Sequence, residues 1–89
     1  MYKGFTDKAW DDVNYWIAND KKTYKRIKRL IEDIERNPFA GIGQPEALKH
    51  NWSGWWSRRI DQEHRVVYKI RTLGNNEKEL VIASLKGHY

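Results

Sequence analysis

The sequence predicts an α+β fold: a short N-terminal strand, a two-helix hairpin, then an antiparallel sheet on which the helices lie. Three observations predict it. Apolar residues recur at helical spacing through two consecutive segments of the N-terminal half. Alternation with period two takes over after residue 55. Breaks containing Gly, Pro or Asn separate the segments.

In chain order, residues 2–5 alternate aromatic and small or polar positions and read as the first strand. Thr6 is placed to cap a helix, with Asp7 favourable in its first turn. Ala9, Trp10, Val13, Trp16 and Ile17 then recur at helical spacing, to about Ala18. Asn19-Asp20 breaks that helix, and Asp20 can cap a second one with the stripe Tyr24, Ile27, Leu30, Ile31 and Ile34. Asn37-Pro38 stops it, because a residue before proline is pushed out of helical geometry. An αα-hairpin of this kind needs a sheet to cover its apolar stripes. Residues 39–45 are a Gly-rich loop ending in Pro45, and 46–50 a short extended piece. Residues 51–54 form a turn into a hairpin of two strands, Trp55–Ile60 and Arg65–Ile70, joined by the polar turn 61–64. Alternation puts Ile60, Val66, Tyr68 and Ile70 on one face, and Arg59 and Arg65 on a face that is not core. After a second turn, in which Gly74-Asn75-Asn76 tolerate positive φ, Leu80–Leu85 is the most apolar strand and the one expected to be central. The helices should cover one face of the sheet and leave the other for function.

Eighty-nine residues are read as one domain, 1–89. A chain of this size buries only roughly 60–65% of its unfolded surface, so five Trp, five Tyr and two Phe must carry much of the core. The net charge of +5, from 17 Lys plus Arg against 12 Asp plus Glu, favours an anionic partner but also suits a merely soluble domain. The absence of cysteine removes disulfides and thiolate metal sites. No segment reads as a signal peptide or membrane span, which makes the cytoplasm the default location.

Several chemistries drop out. His50, His64 and His88 show no metal-ligand spacing, so no metal site is expected. Gly41-Ile42-Gly43 lacks the strand-to-helix context of a phosphate loop, and no cofactor motif is present. What remains is a set suited to RNA cleavage without metal. RNA carries its own nucleophile, the 2′-OH; the enzyme needs a base, cations for the phosphorane and an acid for the leaving 5′-oxygen. Glu46, Arg65 and His88 are the residue types required. Taken singly, each also has a structural reading: a solvated loop acid, an arginine paired with Glu63 or Asp61, a terminal histidine.

The run PFAGIGQPEALKHNWSGWWSRRI at 38–60, then EHRVVY at 63–68 and the closing HY at 88–89, resembles the YoeB toxins of the RelE superfamily. Trp10-Asp11-Asp12 and Tyr15-Trp16 fit as well, so the resemblance covers nearly the whole chain. It implies a microbial-ribonuclease-like fold and endonucleolytic cleavage of mRNA in the ribosomal A site. The general base then falls on Glu46, the phosphate-stabilising arginine on Arg65 and the general acid on His88. Lys49 and Arg59 match basic residues around the scissile phosphate, and Tyr89 a tyrosine that positions RNA. A cognate YefM-like antitoxin with an acidic segment, and a toxin homodimer, are also implied. For Trp52 and Trp55, packing in the core or at a dimer interface is favoured over stacking on RNA bases. The cluster Lys21, Lys22, Lys25, Arg26, Lys28 and Arg29 is either a solvated helix face or, with the resemblance, a docking face for ribosomal RNA. A rival reading from another class is a basic module that blocks translation without cutting.

Overall fold

The structure is a computed structural model that describes residues 1–87. Its elements are β1 (Tyr2–Phe5), α1 (Asp7–Asn19), α2 (Lys21–Arg36), β2 (Glu46–Ala47), a 3-10 turn (His50–Trp52), β3 (Trp56–Arg59), β4 (Arg65–Thr72) and β5 (Lys78–Ser84). The helix boundaries follow from the capping residues. Thr6 Oγ1 accepts from the Ala9 amide at 3.2 Å, and Asp20 accepts from both the amide and hydroxyl of Thr23. These Thr23 bonds hold the Asp20 carboxyl below its ordinary range.

The five strands lie in one sheet ordered β1-β5-β4-β3-β2. Consecutive strands from β2 to β5 are antiparallel, whereas β1 pairs with β5 in parallel and makes the sheet mixed. That parallel pairing gives β5 a neighbour on each side, which accounts for its apolar run; β4 is the middle strand. The turn between them is shorter than the sequence reading had it, since Lys78 and Glu79 already pair with Thr72 and Arg71. Asn76 supplies its positive φ.

The α2 stripe buries Ile27, Leu30 and Ile34 against Val66, Tyr68, Leu80 and Ile82 of the sheet. Each such aliphatic side chain contributes about 1.5–3 kcal/mol relative to exposure. On α1 only part of the apolar spacing is core: Ala9 and Trp16 are buried, while Trp10 and Ile17 remain exposed. They border a groove of about 450 Å³ between α1, α2 and β1, outside the sheet contact.

One core position is not apolar. Alternation along β3 puts Arg58 on the same face as Tyr68 and Val66, and it is 0% exposed. Its guanidinium donates to Asp33 Oδ2 at 2.6 Å, to the carbonyls of Asn37, Ala40 and Ile42, and to the Tyr68 hydroxyl. Tyr68 in turn donates to the Pro38 carbonyl at 2.6 Å. The loop after α2 is therefore wrapped around a buried cation, which uses carbonyls left free where the helix ends. Gly41 and Gly43 both adopt positive φ, and a Cβ on Gly41 would collide with the Asp33 carboxylate. Arg58 and the Ile42 amide together hold the Asp33 carboxyl below its ordinary range, and burial pushes the Tyr68 hydroxyl up.

Removing one member of a buried charged network leaves the others unpaired. Arg58→Ala is therefore expected to cost about 3–5 kcal/mol in chemical denaturation, and Tyr68→Phe about 1–3 kcal/mol. A depressed carboxyl stabilises the fold above the ordinary carboxylate range and loses that contribution as pH falls through its lowered value. Stability should accordingly decline on acidification below that range, and Asp33→Asn should be less stable at neutral pH but flatter in acid.

Candidate active site

The sheet register assembles the site. Glu46 of β2 lies opposite Ser57 of β3, and Arg59 of β3 lies opposite Arg65 of β4. Because side chains alternate, Glu46, Ser57, Arg59 and Arg65 project from the face away from Arg58 and the helices. Glu46 Oε2 stands 3.7 Å from Arg65 Nη1. The sequence reading had allowed Asp61 or Glu63 as partners of Arg65. Asp61 instead accepts from the amides of Glu63 and His64 and closes the turn.

Two features set this cluster apart from a structural one. At 3.7 Å, with Glu46 67% exposed, the pair is too long for a good hydrogen bond and contributes little to stability. Arg59 and Arg65 face each other directly across two strands, where like charges are unfavourable. An approaching phosphate oxygen would relieve that repulsion and could displace the loosely held carboxylate. Beneath these groups Ser57 is fully buried, and its Oγ has no hydrogen-bond partner among the described residues.

Glu46 owes its place to Arg58, which fixes the loop at residues 37, 40 and 42; Gly43 then accepts from the Arg59 amide. Lys49 is exposed and lines a shallow depression of about 300 Å³ with Glu46, His50 and Trp52. Trp52 and Trp55 meet edge to face at 5.3 Å, and the Lys69 ammonium lies 4.6 Å from the Trp55 ring. Phe39 covers Trp56. Of the basic residues on α2, Arg26 reaches the Arg59 carbonyl and joins that helix face to the end of β3. His88 and Tyr89 lie outside the described residues. Gly87, which precedes them, accepts from the Arg65 amide at 2.9 Å and donates to His64 Nδ1 at 2.8 Å.

Sequence reasoning missed three residues. Arg58 could have been found, since it alternates with Ile60 on the core face and a basic residue there needs a partner. His64 and Ser57 carry no such signal, because their roles depend on contacts between distant segments. Among the described residues no group of three or more His, Asp or Glu side chains could hold a metal ion, and no helix is long and apolar enough to cross a membrane.

The arrangement offers a carboxylate and two guanidinium groups on an open sheet face, which is chemistry suited to a phosphodiester. Comparison with known proteins bears on which one. Residues 5–89 match the family profile described as a YoeB-like toxin of a bacterial type II toxin–antitoxin system. The YoeB toxin of Synechocystis sp. is 51% identical over 89 residues, covering 100% of this chain and 98% of that one. The YoeB/ParE toxin from Agrobacterium tumefaciens superposes with a TM-score of 0.94 at 39% identity, covering 100% of both chains. The Staphylococcus aureus YoeB toxin, solved in a heterotetrameric complex with the antitoxin YefM, is 43% identical with a TM-score of 0.86, covering 100% of this chain and 98% of that one. The same toxin has been solved as a dimer. Sequence and fold agree over the whole length, and the chain belongs to the YoeB-like toxin family of bacterial type II toxin–antitoxin systems.

Proposed function

We propose that this chain is an endoribonuclease that cleaves mRNA in the ribosomal A site. The observation that carries the reading is the approach of Glu46 to Arg65, at 3.7 Å, on a face that also carries Arg59. Glu46 takes the proton of the 2′-OH, and the 2′-oxygen attacks phosphorus. Arg65, with Arg59 and Lys49, holds the charge that builds on the phosphorane oxygens. His88 protonates the 5′-oxygen as its bond to phosphorus breaks, leaving a 2′,3′-cyclic phosphate and a 5′-OH; water then opens the ring to a 3′-phosphate. Tyr89 positions the RNA. No step calls for a metal, since the nucleophile belongs to the substrate.

The exposed lysines of α2 continue this positive surface towards ribosomal RNA, and the Arg26–Arg59 contact makes the two regions contiguous. A YefM-like antitoxin neutralises the toxin by laying an acidic segment, ordered on binding, over the same cations. The toxin itself pairs as a homodimer. A ribosomal substrate places its action in the cytoplasm.

Primer extension on translating ribosomes should show cuts within the A-site codon. Glu46→Gln, Arg65→Ala and His88→Ala should each lower cleavage by at least about 10²-fold and abolish growth arrest without antitoxin. Intact mRNA with undiminished growth arrest would instead favour a module that blocks translation without cutting. Lys49→Ala and Arg59→Ala should weaken binding of a single-stranded RNA regardless of sequence, each reducing the salt slope by about 0.7 per lost phosphate contact.

A further inference from the structure

The segment that leads to the C-terminal pair is held mainly by side chains, with one backbone bond from the first residue of β4. The β4–β5 register shifts between Val67 and Tyr68, and beyond Ser84 the strand leaves the ladder. Asp12 Oδ2 accepts from the Leu85 amide at 2.9 Å, and Trp16 Nε1 donates to the Leu85 carbonyl at 2.8 Å. Lys8 and Ser84 both donate to the Lys86 carbonyl. At Gly87, His64 Nδ1 accepts the amide proton, and the next residue, Arg65, donates its own amide to the Gly87 carbonyl. Every backbone polar group from Leu85 to Gly87 except the Lys86 amide thus has a named partner.

His64 is the hinge point of this clamp. An Nδ1 that accepts a hydrogen bond carries no proton in that contact. The ring packs edge to face on Trp16, with centroids 5.0 Å apart, which fixes its orientation. Trp16 therefore both seats His64 and holds Leu85, and a loop-tip histidine is tied to α1.

We propose that His64 is a positioning residue for cleavage: by gripping the Gly87 amide beside Arg65, it sets the direction in which the chain enters His88 relative to the phosphate-binding guanidinium. The proposal rests on the assignment of His88 as general acid made above. Its physical content is that two consecutive residues grip Gly87 from both sides, His64 through its side chain and Arg65 through its backbone. Gly87, which precedes the proposed acid, is thereby registered to the residue that holds the phosphate. Gly87 has φ +97°, a conformation that L side chains rarely adopt, and a Cβ there would meet nothing within 4 Å. The glycine is thus required by the backbone path and not by lack of space.

The test is steady-state mRNA cleavage on programmed ribosomes by the full chain and four variants. His64→Phe keeps a ring against Trp16 but removes the acceptor; His64→Asn places an amide oxygen near the Nδ1 position. His64→Phe should lower kcat by about tenfold or more with KM within about twofold, and His64→Asn should recover most of that loss. Wild-type kcat in His64→Phe, alongside inactive His88→Ala and Glu46→Gln, overturns the positioning role and leaves the catalytic assignment standing. Wild-type activity in His88→Ala removes the acid assignment and this proposal with it. Equal losses in His64→Phe and His64→Asn would assign the residue to packing and also overturn it. Should His64→Phe fail to fold, NMR of the wild type decides: a protected Gly87 amide and an unprotonated His64 Nδ1 support the clamp, and a freely exchanging amide or protonated Nδ1 overturns it.

Discussion

A guanidinium with no access to water lies between the sheet and the second helix, and the geometry of the site depends on it. Burying the Arg58 charge is costly unless nearly every N–H finds an acceptor. The acceptors are one carboxylate, three loop carbonyls and a tyrosine hydroxyl that is itself bonded to a fourth carbonyl. The last turn of α2, which carries Asp33, the loop after it, β3 and β4 must all be in place at once for this to be satisfied. The loop cannot relax without leaving a buried donor unpaired. Glu46 begins the next strand only three residues after Gly43, so its place on the sheet edge follows from that constraint.

Two of the arginine–carboxylate pairs are of opposite character. Arg58–Asp33 is short, buried and supported by further hydrogen bonds, and it acts on the fold. Arg65–Glu46 is long and exposed, and does little for stability. It lies beside a second arginine that the sheet holds in unfavourable opposition. Local conflicts of this kind, in a chain whose other choices agree with one another, concentrate where a ligand is to be bound. The rigid pair positions the loose one, and β3 carries Arg58 and Arg59 at adjacent positions. One points into the core and its neighbour points out.

The first helix has a part beyond covering the sheet. Asp12 and Trp16 take over the hydrogen bonds that Leu85 would have made in a continued strand, and Trp16 seats the imidazole that holds Gly87. The chain thereby reaches its last described residue on a path fixed by side chains from α1 and from the hairpin turn.

The sequence by itself determined the elements and the faces. Helix limits were legible because Thr6, Asp20 and Asn37-Pro38 act through neighbours a few residues away. The core stripe of α2 and the inward set on β4 were legible because periodicity is a local property. Glu46, Arg59 and Arg65 were nameable from residue type and motif, but their convergence was not, since it depends on the order β4-β3-β2 and on register. The parallel pairing of β1 with β5 was equally hidden, as a strand carries no record of its distant neighbour. The exposure of Trp10 and Ile17 arose because α1 offers the sheet a narrower face than its apolar spacing allows. Ser57 and His64 were decided by tertiary structure alone, and Arg58, legible as a basic residue on the core face, received its partners only there. The partners of a buried charge, a hydroxyl unpartnered among the described residues and an imidazole that accepts a backbone amide are defined by what surrounds them, and those surroundings come from segments that only folding brings together.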